Sequence, residues 1–249
     1  MAGLACEGLD EGPTGIVTAV TDGDTVTLDT GITVRLIGAE APALGKGRKD
    51  TVSGPLAETA RAALEKLALG KSVRLALGGE QADRYGHMLA QMYVVGEPEI
   101  WAQQTMLAAG LARVYSLPQN RNCIAELLAA EDLARTNKLG IWADPYYSVR
   151  DAADPDMLTS YAGRYELVEG KVLGTGKARD RVYLDFGKVW KEDFTVVIDK
   201  KAQSLFAAAG IDPMTFAGRT IRVRGWVEMR DGPLIAVTQP EQIEVLGSI

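Results

Sequence analysis

Residues 15–37 read GIVTAVTDGDTVTLDTGITVRLI, and this stretch predicts a β-rich fold. Valine, isoleucine and threonine fall in three short runs, which is typical of strands that bury one face. Asp22-Gly23 and Thr30-Gly31 interrupt the runs with residues that favour tight turns. The predicted strands cover residues 15–20, 25–28 and 32–37. The stretch therefore indicates a meander of three strands.

The segment after this meander supplies a helix and two more strands. Residues 55–69 (PLAETARAALEKLAL) place apolar side chains at helical spacing, with Pro55 suited to the first turn and Gly70 to the end. Further strands are predicted at residues 71–77 and 87–95, and further helices near residues 99–109 and 121–137. Five strands with a helix between the third and the fourth are the plan of an OB-fold barrel.

The sequence from residue 161 onward repeats this order of strands, helix and strands. Strands are predicted at residues 165–173, 181–186, 194–198, 221–229 and 234–238, and a helix at residues 201–209. We therefore predict an α+β, mostly β chain with two tandem OB-fold barrels, each a five-stranded Greek key. The predicted divisions are an N-terminal extension (1–13), a first barrel (14–150), a linker (151–160) and a second barrel (161–249).

The composition indicates a folded chain with an uneven charge distribution. Hydrophobic residues make up 47% and charged residues 24% of the 249 positions, which allows a sizeable core. Residues 1–160 carry 14 Lys and Arg against 21 Asp and Glu, a net charge of −7, whereas residues 161–249 carry 13 against 12, a net charge of +1. An acidic first half is atypical of a tight nucleic-acid binder, because phosphate contacts need clustered cations.

Two cysteines, Cys6 and Cys123, bear on the location of the protein. In an exported chain they are expected to form a disulfide that ties down the N-terminus; in a cytosolic chain they are expected to be small hydrophobic residues. The start, MAGLACEG, resembles the small-residue end of a secretory signal. We therefore expect a periplasmic or extracellular protein, with a cytoplasmic one as the alternative. No apolar run approaches the length of a transmembrane helix.

Five stretches together carry a resemblance to a known family: VTDGDTVTL, VRLIGAEAP, DRYGHMLA, LAAGLARVY and NKLGIW. In this order and near this spacing, across roughly residues 14–145, the chain resembles the staphylococcal nuclease (thermonuclease) family. The resemblance implies an OB-type first barrel that hydrolyses phosphodiester bonds in DNA or RNA with one calcium ion. The second half resembles no named enzyme, although the combination looks like exported bacterial relatives of the nuclease.

The resemblance assigns a metal site and a phosphate site. Asp24 matches the first calcium-binding carboxylate, and the carbonyl of Ala41 would be a neighbouring backbone ligand. Glu40 stands where the family usually has a second metal-binding Asp, one methylene shorter. Arg35 matches the first phosphate-binding arginine, whose planar fork of donors suits a phosphate. The alternatives are turn chemistry for Asp24, a solvated strand arginine for Arg35 and a surface loop acid for Glu40.

Two positions depart from the family pattern. Ala43 stands where the family usually has its catalytic Glu, and a methyl group cannot deprotonate water. Loss of a positioned general base typically costs about 10²–10⁴-fold in rate. His87 stands where the second phosphate-binding arginine is usual; it is expected to be a weak phosphate ligand, a replacement base or a polar turn residue. Asp50, further along the same loop, is a remote substitute for the missing base.

Two tyrosines and a basic loop are further candidates for nucleic-acid contact. Tyr85 and Tyr115 match regions where the family places tyrosines against the nucleotide, and stacking on them is weighed against an edge position on the barrel. Three cations, Lys46, Arg48 and Lys49, form a loop that either touches the phosphate backbone or is simply solvated.

In the second half, Arg222, Arg224 and Trp226 alternate along one predicted strand. A basic and aromatic strand face of this kind is one that OB folds use to bind single strands. The alternative is that they are half-exposed strand residues without a ligand.

The sequence thus predicts a calcium-dependent nuclease with a degenerate, slow active site that acts on DNA or RNA, single-stranded nucleic acid being the expected partner. The alternative is a catalytically inactive nuclease-like module that binds nucleic acid or a protein partner. A third possibility is a structural periplasmic module held by a Cys6–Cys123 bridge.

Overall fold

A computed structural model of the chain describes residues 6, 8–45, 53–189 and 191–247. The chain divides into two compact units, Met1–Tyr147 and Ser148–Ile249, and each has its own hydrophobic core. Among the helices of these residues, none combines the length and the apolar character needed to cross a bilayer.

The first unit contains eight strands and three helices within its described residues. They are β1 (Asp10–Asp22), β2 (Thr25–Leu28), β3 (Thr33–Leu36), β4 (Gly38–Glu40), β5 (Ser72–Leu77), β6 (Met88–Val94), β7 (Ile100–Trp101), β8 (Arg113–Tyr115), α1 (Ala57–Ala68), α2 (Ala102–Ala108) and α3 (Ile124–Thr136). The main sheet runs β3-β2-β1-β5-β6-β7 and closes on itself because β3 also pairs, in parallel, with β6. This closed five-stranded barrel confirms the predicted OB-type plan.

Periodicity in the sequence explains the barrel strands and the first helix. Val26 and Leu28 of β2 are buried, while Thr25 and Thr27 are half-buried, so the strand turns one apolar face to the core. Helix α1 buries Ala60 and Leu64 against the same core. It ends before Gly70, whose φ of 73° is the left-handed conformation that favours glycine after a helix.

Helix α3 packs behind the short β4–β8 sheet. Glu131 of this helix is 0% exposed, and its Oε2 accepts a hydrogen bond from the backbone N–H of Val114 in β8 at 3.0 Å. Its Oε1 lies 3.3 Å from Nη1 of Arg135. The N-cap residue of α3 is Cys123, which forms a disulfide with Cys6 across a Cα–Cα distance of 5.2 Å. The covalent link therefore joins the start of the chain to the helix that supports β8.

The second unit contains the remaining elements of the described chain. They are β9 (Arg150–Asp151), α4 (Pro155–Ser160), β10 (Tyr165–Lys171), β11 (Gly174–Ala178), β12 (Arg181–Asp185), β13 (Thr195–Ile198), α5 (Lys200–Ala208), β14 (Thr220–Met229), β15 (Pro233–Val237) and β16 (Ile243–Leu246). The sheet order is β11-β12-β13-β15-β14-β10-β9.

The second sheet curls into a barrel because β10 and β11 are nearly continuous. Only Val172 and Leu173 separate them, and the pair behaves as one bent strand that contacts β14 at one end and β12 at the other. Counted in this way, the barrel strands are β10–β11, β12, β13, β14 and β15, with α5 between the third and the fourth. This order confirms the second predicted OB-like barrel.

Residues 151–160, predicted as a linker, contain ordered structure of the second unit. Asp151 belongs to β9, which pairs in parallel with β10. Helix α4 follows, and the carboxylate of Asp154 accepts a hydrogen bond from the backbone N–H of Met157 at 3.0 Å. Leu158 of this helix is fully buried in the second core. The Asp154-Pro155 pair, a helix N-cap followed by proline, is the sequence signal for this helix.

The predicted basic face of Arg222, Arg224 and Trp226 is wrong for the two arginines. Arg224 is 0% exposed, and its Nη2 lies 2.5 Å from Oε1 of Glu244. Arg222 is paired with Glu169 at 3.0 Å and with Glu244 at 3.4 Å. The reason is β16, which pairs with β14 and brings Glu244 beside both guanidinium groups. Only Trp226, 49% exposed, remains a surface residue.

Candidate functional site

Asp24 lies in the tight turn between β1 and β2, and its buried side chain ties three segments together. Its Oδ2 accepts a hydrogen bond from the backbone N–H of Ala41 at 2.9 Å, and its Oδ1 accepts one from the hydroxyl of Thr25 at 2.8 Å. Its backbone carbonyl accepts a hydrogen bond from the N–H of Leu36 at 2.8 Å. The side chain of Asp24 therefore fixes the loop after β4 to the turn, and its backbone carbonyl fixes the end of β3.

Burial raises the pKa of the Asp24 carboxyl above its ordinary value. The hydrogen bonds from Ala41 and Thr25 and the positive charge of Arg35 oppose this rise, and the nearby carboxylate of Asp22 adds to it. Asp22 is a second acid next to the site that was not predicted from the sequence. The Asp22-Gly23-Asp24 spacing could have indicated that both acids lie at the site.

Arg35 and Glu40 form an ion pair next to Asp24. Nη2 of Arg35 lies 2.5 Å from Oε2 of Glu40, with the side chains 33% and 29% exposed. Arg35 extends from β3, where it alternates with the buried Val34 and Leu36, and Glu40 ends β4. The structure therefore brings together the phosphate-binding and metal-binding side chains that the sequence predicted for this site.

The electrostatics of the pair reflect its burial. Burial raises the pKa of the Glu40 carboxyl, and the negative charge of Asp24 raises it further, while Arg35 and Arg113 lower it only in part. Burial works against the charge of Arg35, but Glu40 and Asp24 outweigh it and hold the pKa of the guanidinium above its ordinary value. The buried carboxylate of Asp24 and the partly buried carboxylate of Glu40 thus share Arg35 as a cationic neighbour.

Strand β8 supplies the other wall of the site. β4 and β8 are antiparallel, with Gly38 opposite Tyr115 and Glu40 opposite Arg113. Tyr115 is close enough to Arg35 to contribute to the raised pKa of the guanidinium, and Arg113 is close enough to act on Glu40. Tyr115 was predicted for the site, whereas Arg113 was missed, because only the pairing of β4 with β8 places it there.

The donor set consists of hard oxygens, but its carboxylates already have partners. Both oxygens of Asp24 accept hydrogen bonds, and Oε2 of Glu40 faces Arg35. The described part of the chain contains no group of three or more Asp, Glu, His and Cys side chains that could hold a metal ion. Raised pKa values at both carboxylates nevertheless mark a place where a cation would relieve burial and mutual repulsion.

Ala43 lies at the base of the loop that follows the site. It is exposed, and its carbonyl accepts a hydrogen bond from the N–H of Gly54 at 2.9 Å. The acid and the three cations singled out in this loop lie outside the described residues; they are Asp50, Lys46, Arg48 and Lys49.

Tyr85 and His87 occupy a separate turn before β6. Oδ1 of Asp83 accepts hydrogen bonds from the backbone N–H groups of Tyr85 at 2.8 Å and His87 at 3.0 Å, and its Oδ2 lies 3.0 Å from Nδ1 of His87. Partial burial works against the charge of Asp83, but these contacts hold its pKa below the ordinary value. Tyr85 is 66% exposed, with its ring centroid 6.0 Å from that of His87.

Strand register places this turn next to Arg35 without joining it to the cluster. Across the parallel β3–β6 pair, Arg35 lies opposite Leu89 and Val34 opposite Met88, so His87 directly precedes the paired segment. Within the described residues, no side-chain contact links His87 with Asp24 or Glu40. The site therefore has an acid–arginine cluster, formed by Asp24, Arg35 and Glu40. Beside it lies the turn that carries Tyr85 and His87.

Comparison with known proteins identifies the family to which the first unit is similar. Residues 33–144 match the family described as "Staphylococcal nuclease homologue". An "Uncharacterized endonuclease" of Escherichia coli O157:H7 is 32% identical over 135 residues, which cover 52% of this chain and 77% of that protein. The chain belongs to the staphylococcal nuclease homologue family.

Two relatives from Bacillus subtilis (strain 168) share a shorter segment. "Endonuclease YncB" and "SPbeta prophage-derived endonuclease YokF" are each 39% identical over 70 residues, or 28% of this chain. The matched segment spans 32% of the first protein and 23% of the second. The family match itself lies entirely within the first unit, so it says nothing about the second barrel.

Proposed function

We propose that the first barrel is a calcium-dependent nuclease with slow turnover, which hydrolyses phosphodiester bonds in single-stranded DNA or RNA. The observation that carries this proposal is the Arg35–Glu40 ion pair beside the buried Asp24, in a barrel of this family. The relatives named as endonucleases support the same reaction class. The acidic first half works against tight binding, which agrees with a weakly bound substrate.

Asp24, Glu40 and the carbonyl of Ala41 are the groups that would hold Ca²⁺, which prefers oxygen ligands. Asp22 would add negative charge next to them. When bound, the ion supplies Lewis-acid stabilisation of the phosphate oxygens. Glu40 as a ligand would weaken its ion pair with Arg35 and so would free guanidinium donors.

Arg35, once released, can present its fork of N–H donors to a phosphate in place of the Glu40 carboxylate. The contact with Glu40 uses one guanidinium nitrogen, Nη2, so a phosphate that replaced this carboxylate could engage further donors of the fork. Tyr115, across the β4–β8 pair, would stack on a base next to that phosphate, and the exposed Tyr85 would stack on a second one.

Proton transfer is the weak point of this site. Ala43 carries no acid or base, and removal of a positioned base typically costs about 10²–10⁴-fold in rate. We propose His87 as the substitute base. The alternative role for His87 is that of a weak phosphate ligand in place of the usual second arginine. Because Nδ1 of His87 faces the carboxylate of Asp83 at 3.0 Å, the neutral ring carries its lone pair on Nε2.

A cleavage assay on single-stranded DNA tests the proposal. Wild type should cleave with Ca²⁺ and stop when a chelator is added, and Asp24→Ala should lose cleavage in a preparation purified in parallel. Glu97→Ala, which removes an exposed acid from the β6–β7 turn, is the matched control and should retain it. Equal cleavage by wild type and Asp24→Ala would mean that a contaminant cuts the DNA.

The alternative proposal is a catalytically inactive module that binds nucleic acid or a protein partner. It is favoured by the methyl group at Ala43, which can neither accept nor donate a proton. Under this alternative, the cleavage assay would show no product, whereas melting curves would show Ca²⁺-dependent thermal stabilisation that Asp24→Ala abolishes.

Export to the periplasm or the extracellular space is proposed on the strength of the Cys6–Cys123 disulfide. Disulfides persist in oxidising compartments and are rare in the cytosol. Fractionation of cells that express the protein, with a cytosolic marker as reference, would locate it.

A further inference from the structure

The second barrel has a small groove on the outer face of β12, β13 and β15. Its volume is about 140 Å³. Strand register aligns its lining in cross-strand rows, because Tyr183 lies opposite Val197, and Asp185 lies opposite Thr195, which in turn lies beside Leu234. The inward-facing neighbours on the same strands, such as Val182 and Leu184, fill the barrel core, so the groove is built on a rigid sheet.

The groove combines an aromatic and apolar floor with cations at its rim. Tyr183, Val197 and Leu234 provide the floor, Arg181 lies at the start of β12, and the turn between β14 and β15 contributes both Arg230 and the acid Asp231. Arg181 is exposed, and the side chain of Arg230 is 60% exposed. An aromatic side chain for base stacking together with cations for the phosphate backbone is the combination that single-strand binding sites use.

Three polar side chains of the groove have neither a hydrogen-bond partner nor an ion-pair partner among the described residues. Among the described residues, no side-chain hydrogen bond or ion pair engages Arg181, Tyr183 or Asp185, and Arg230 has only Glu228, at 3.8 Å. Arg222 and Arg224 of the same barrel, by contrast, are both paired closely with carboxylates. Arg181 is therefore available to a ligand, and Arg230 is held only by the long contact with Glu228.

Asp185 gives the groove a hydrogen-bond acceptor beside the aromatic floor. It is half-buried, and this burial raises the pKa of its carboxyl. A carboxylate at this place can accept hydrogen bonds from an exocyclic amino group such as N4 of cytosine. It would repel a phosphate, so the phosphates belong at the rim and the base on the floor.

We propose that this groove binds single-stranded nucleic acid, with one base stacked on Tyr183 and hydrogen-bonded to Asp185, and the flanking phosphates on Arg181 and Arg230. The location supports the assignment, since the groove lies on the second and third barrel strands and the turn between the fourth and fifth, a face that OB folds use for oligonucleotides. The net charge of +1 for residues 161–249, against −7 for the rest, agrees with it. The proposal goes beyond the proposed nuclease and does not require the first barrel to cleave.

Binding of a fluorescently labelled oligo(dC) to the full chain tests the proposal, measured by anisotropy with a chelator present so that no cleavage occurs. Tyr183→Ala should weaken binding about 5- to 150-fold, the range expected for the loss of one base–aromatic stack, whereas Tyr183→Phe should retain most of it. Arg181→Ala and Arg230→Ala should each reduce the slope of log K against log salt by about 0.7, the value for one phosphate on a single strand.

Two comparisons separate this site from other sources of binding. Lys201→Ala removes an exposed cation of helix α5, away from the groove, and should leave the affinity and the salt slope unchanged. The whole series is repeated in an Arg35→Ala background, which removes the phosphate contact proposed for the first barrel.

Asp185→Asn tests the recognition of the base. It should reduce the preference for oligo(dC) over oligo(dT), because thymine has no amino group.

The proposal is overturned if Tyr183→Ala binds like Tyr183→Phe, or if the two arginine variants behave like Lys201→Ala. Equal affinity for a duplex of the same sequence would also overturn it, because a paired base cannot enter the groove. Circular dichroism melting curves of all variants verify that they are folded.

Discussion

The guanidinium of Arg35 is held 2.5 Å from the carboxylate of Glu40, so the cation and one acid of the candidate site neutralise each other. The pair occupies Nη2 of Arg35 and Oε2 of Glu40, two atoms that would otherwise be open to a phosphate and to a metal. Activity at this site should therefore depend on how readily the pair opens.

Glu40→Asp should make the site more active. The shorter side chain withdraws the carboxylate by about 1.5 Å, which weakens the contact with Arg35 and leaves both groups free for their ligands. We expect tighter Ca²⁺ binding by calorimetry and faster cleavage of single-stranded DNA, each by severalfold. Glu40→Gln, which keeps the length but loses the charge, should bind Ca²⁺ more weakly; a gain in that variant would contradict the explanation.

Ala43→Glu should restore a general base. Because a positioned base is typically worth about 10²–10⁴-fold, we expect the cleavage rate to rise by a factor within that range. Ala43 is exposed, so the longer side chain fits without cost to the core. Ala43→Gln is isosteric but cannot take a proton, and the same gain in both variants would show that the base is not what the site lacks.

The pH dependence of stability should carry the signature of Asp24 and Glu40. Burial raises both pKa values above 3.8 and 4.5, so between these values and the raised ones the folded state holds more protons than the unfolded state. The free energy of unfolding then falls as pH rises through that window. Asp24→Asn should flatten this slope in urea titrations, whereas Glu97→Gln at an exposed position should not.

Removal of the Glu131 side chain should destabilise the first barrel and disturb the site. The 0%-exposed carboxylate accepts the N–H of Val114 and pairs with Arg135, so Glu131→Ala should cost about 3–5 kcal/mol. Urea unfolding measures this loss. Glu131→Gln keeps an acceptor for Val114 and should be milder; equal losses would mean that the hydrogen bond contributes little.

The Cys6–Cys123 bond should contribute about 2–4 kcal/mol to stability. Mass measurement under non-reducing conditions should find no free thiol, and a reductant should lower the melting temperature of wild type. The double variant Cys6→Ala, Cys123→Ala should melt at the same temperature with and without reductant. Two free thiols in protein purified under oxidising conditions would rule out the bond in solution.

Local periodicity was sufficient to predict β2, β3, β5, β6 and α1, because each is decided by its own alternation or by a nearby proline or glycine. Several short strands were not predicted, among them β4, β7, β8, β9 and β16. Asp24, Arg35 and Glu40 were predictable as a site from their match to a family pattern. Arg113 was not, since it reaches Glu40 only through the pairing of β8 with β4. The same limit applies to Arg224, which looked exposed on its strand until β16 brought Glu244 beside it.

The disulfide that fastens residue 6 to the N-cap of α3 also determines how the molecule bears a mechanical load. A pulling force applied through the two ends of the chain would pass from Cys6 directly to Cys123 and bypass the 117-residue separation between them. The contour length released in a single-molecule experiment should therefore be shorter by about 400 Å than in the reduced protein. The strands of the first barrel and the acid–arginine cluster lie within the loop that the disulfide closes. They therefore bear no tension while the second barrel unfolds under force.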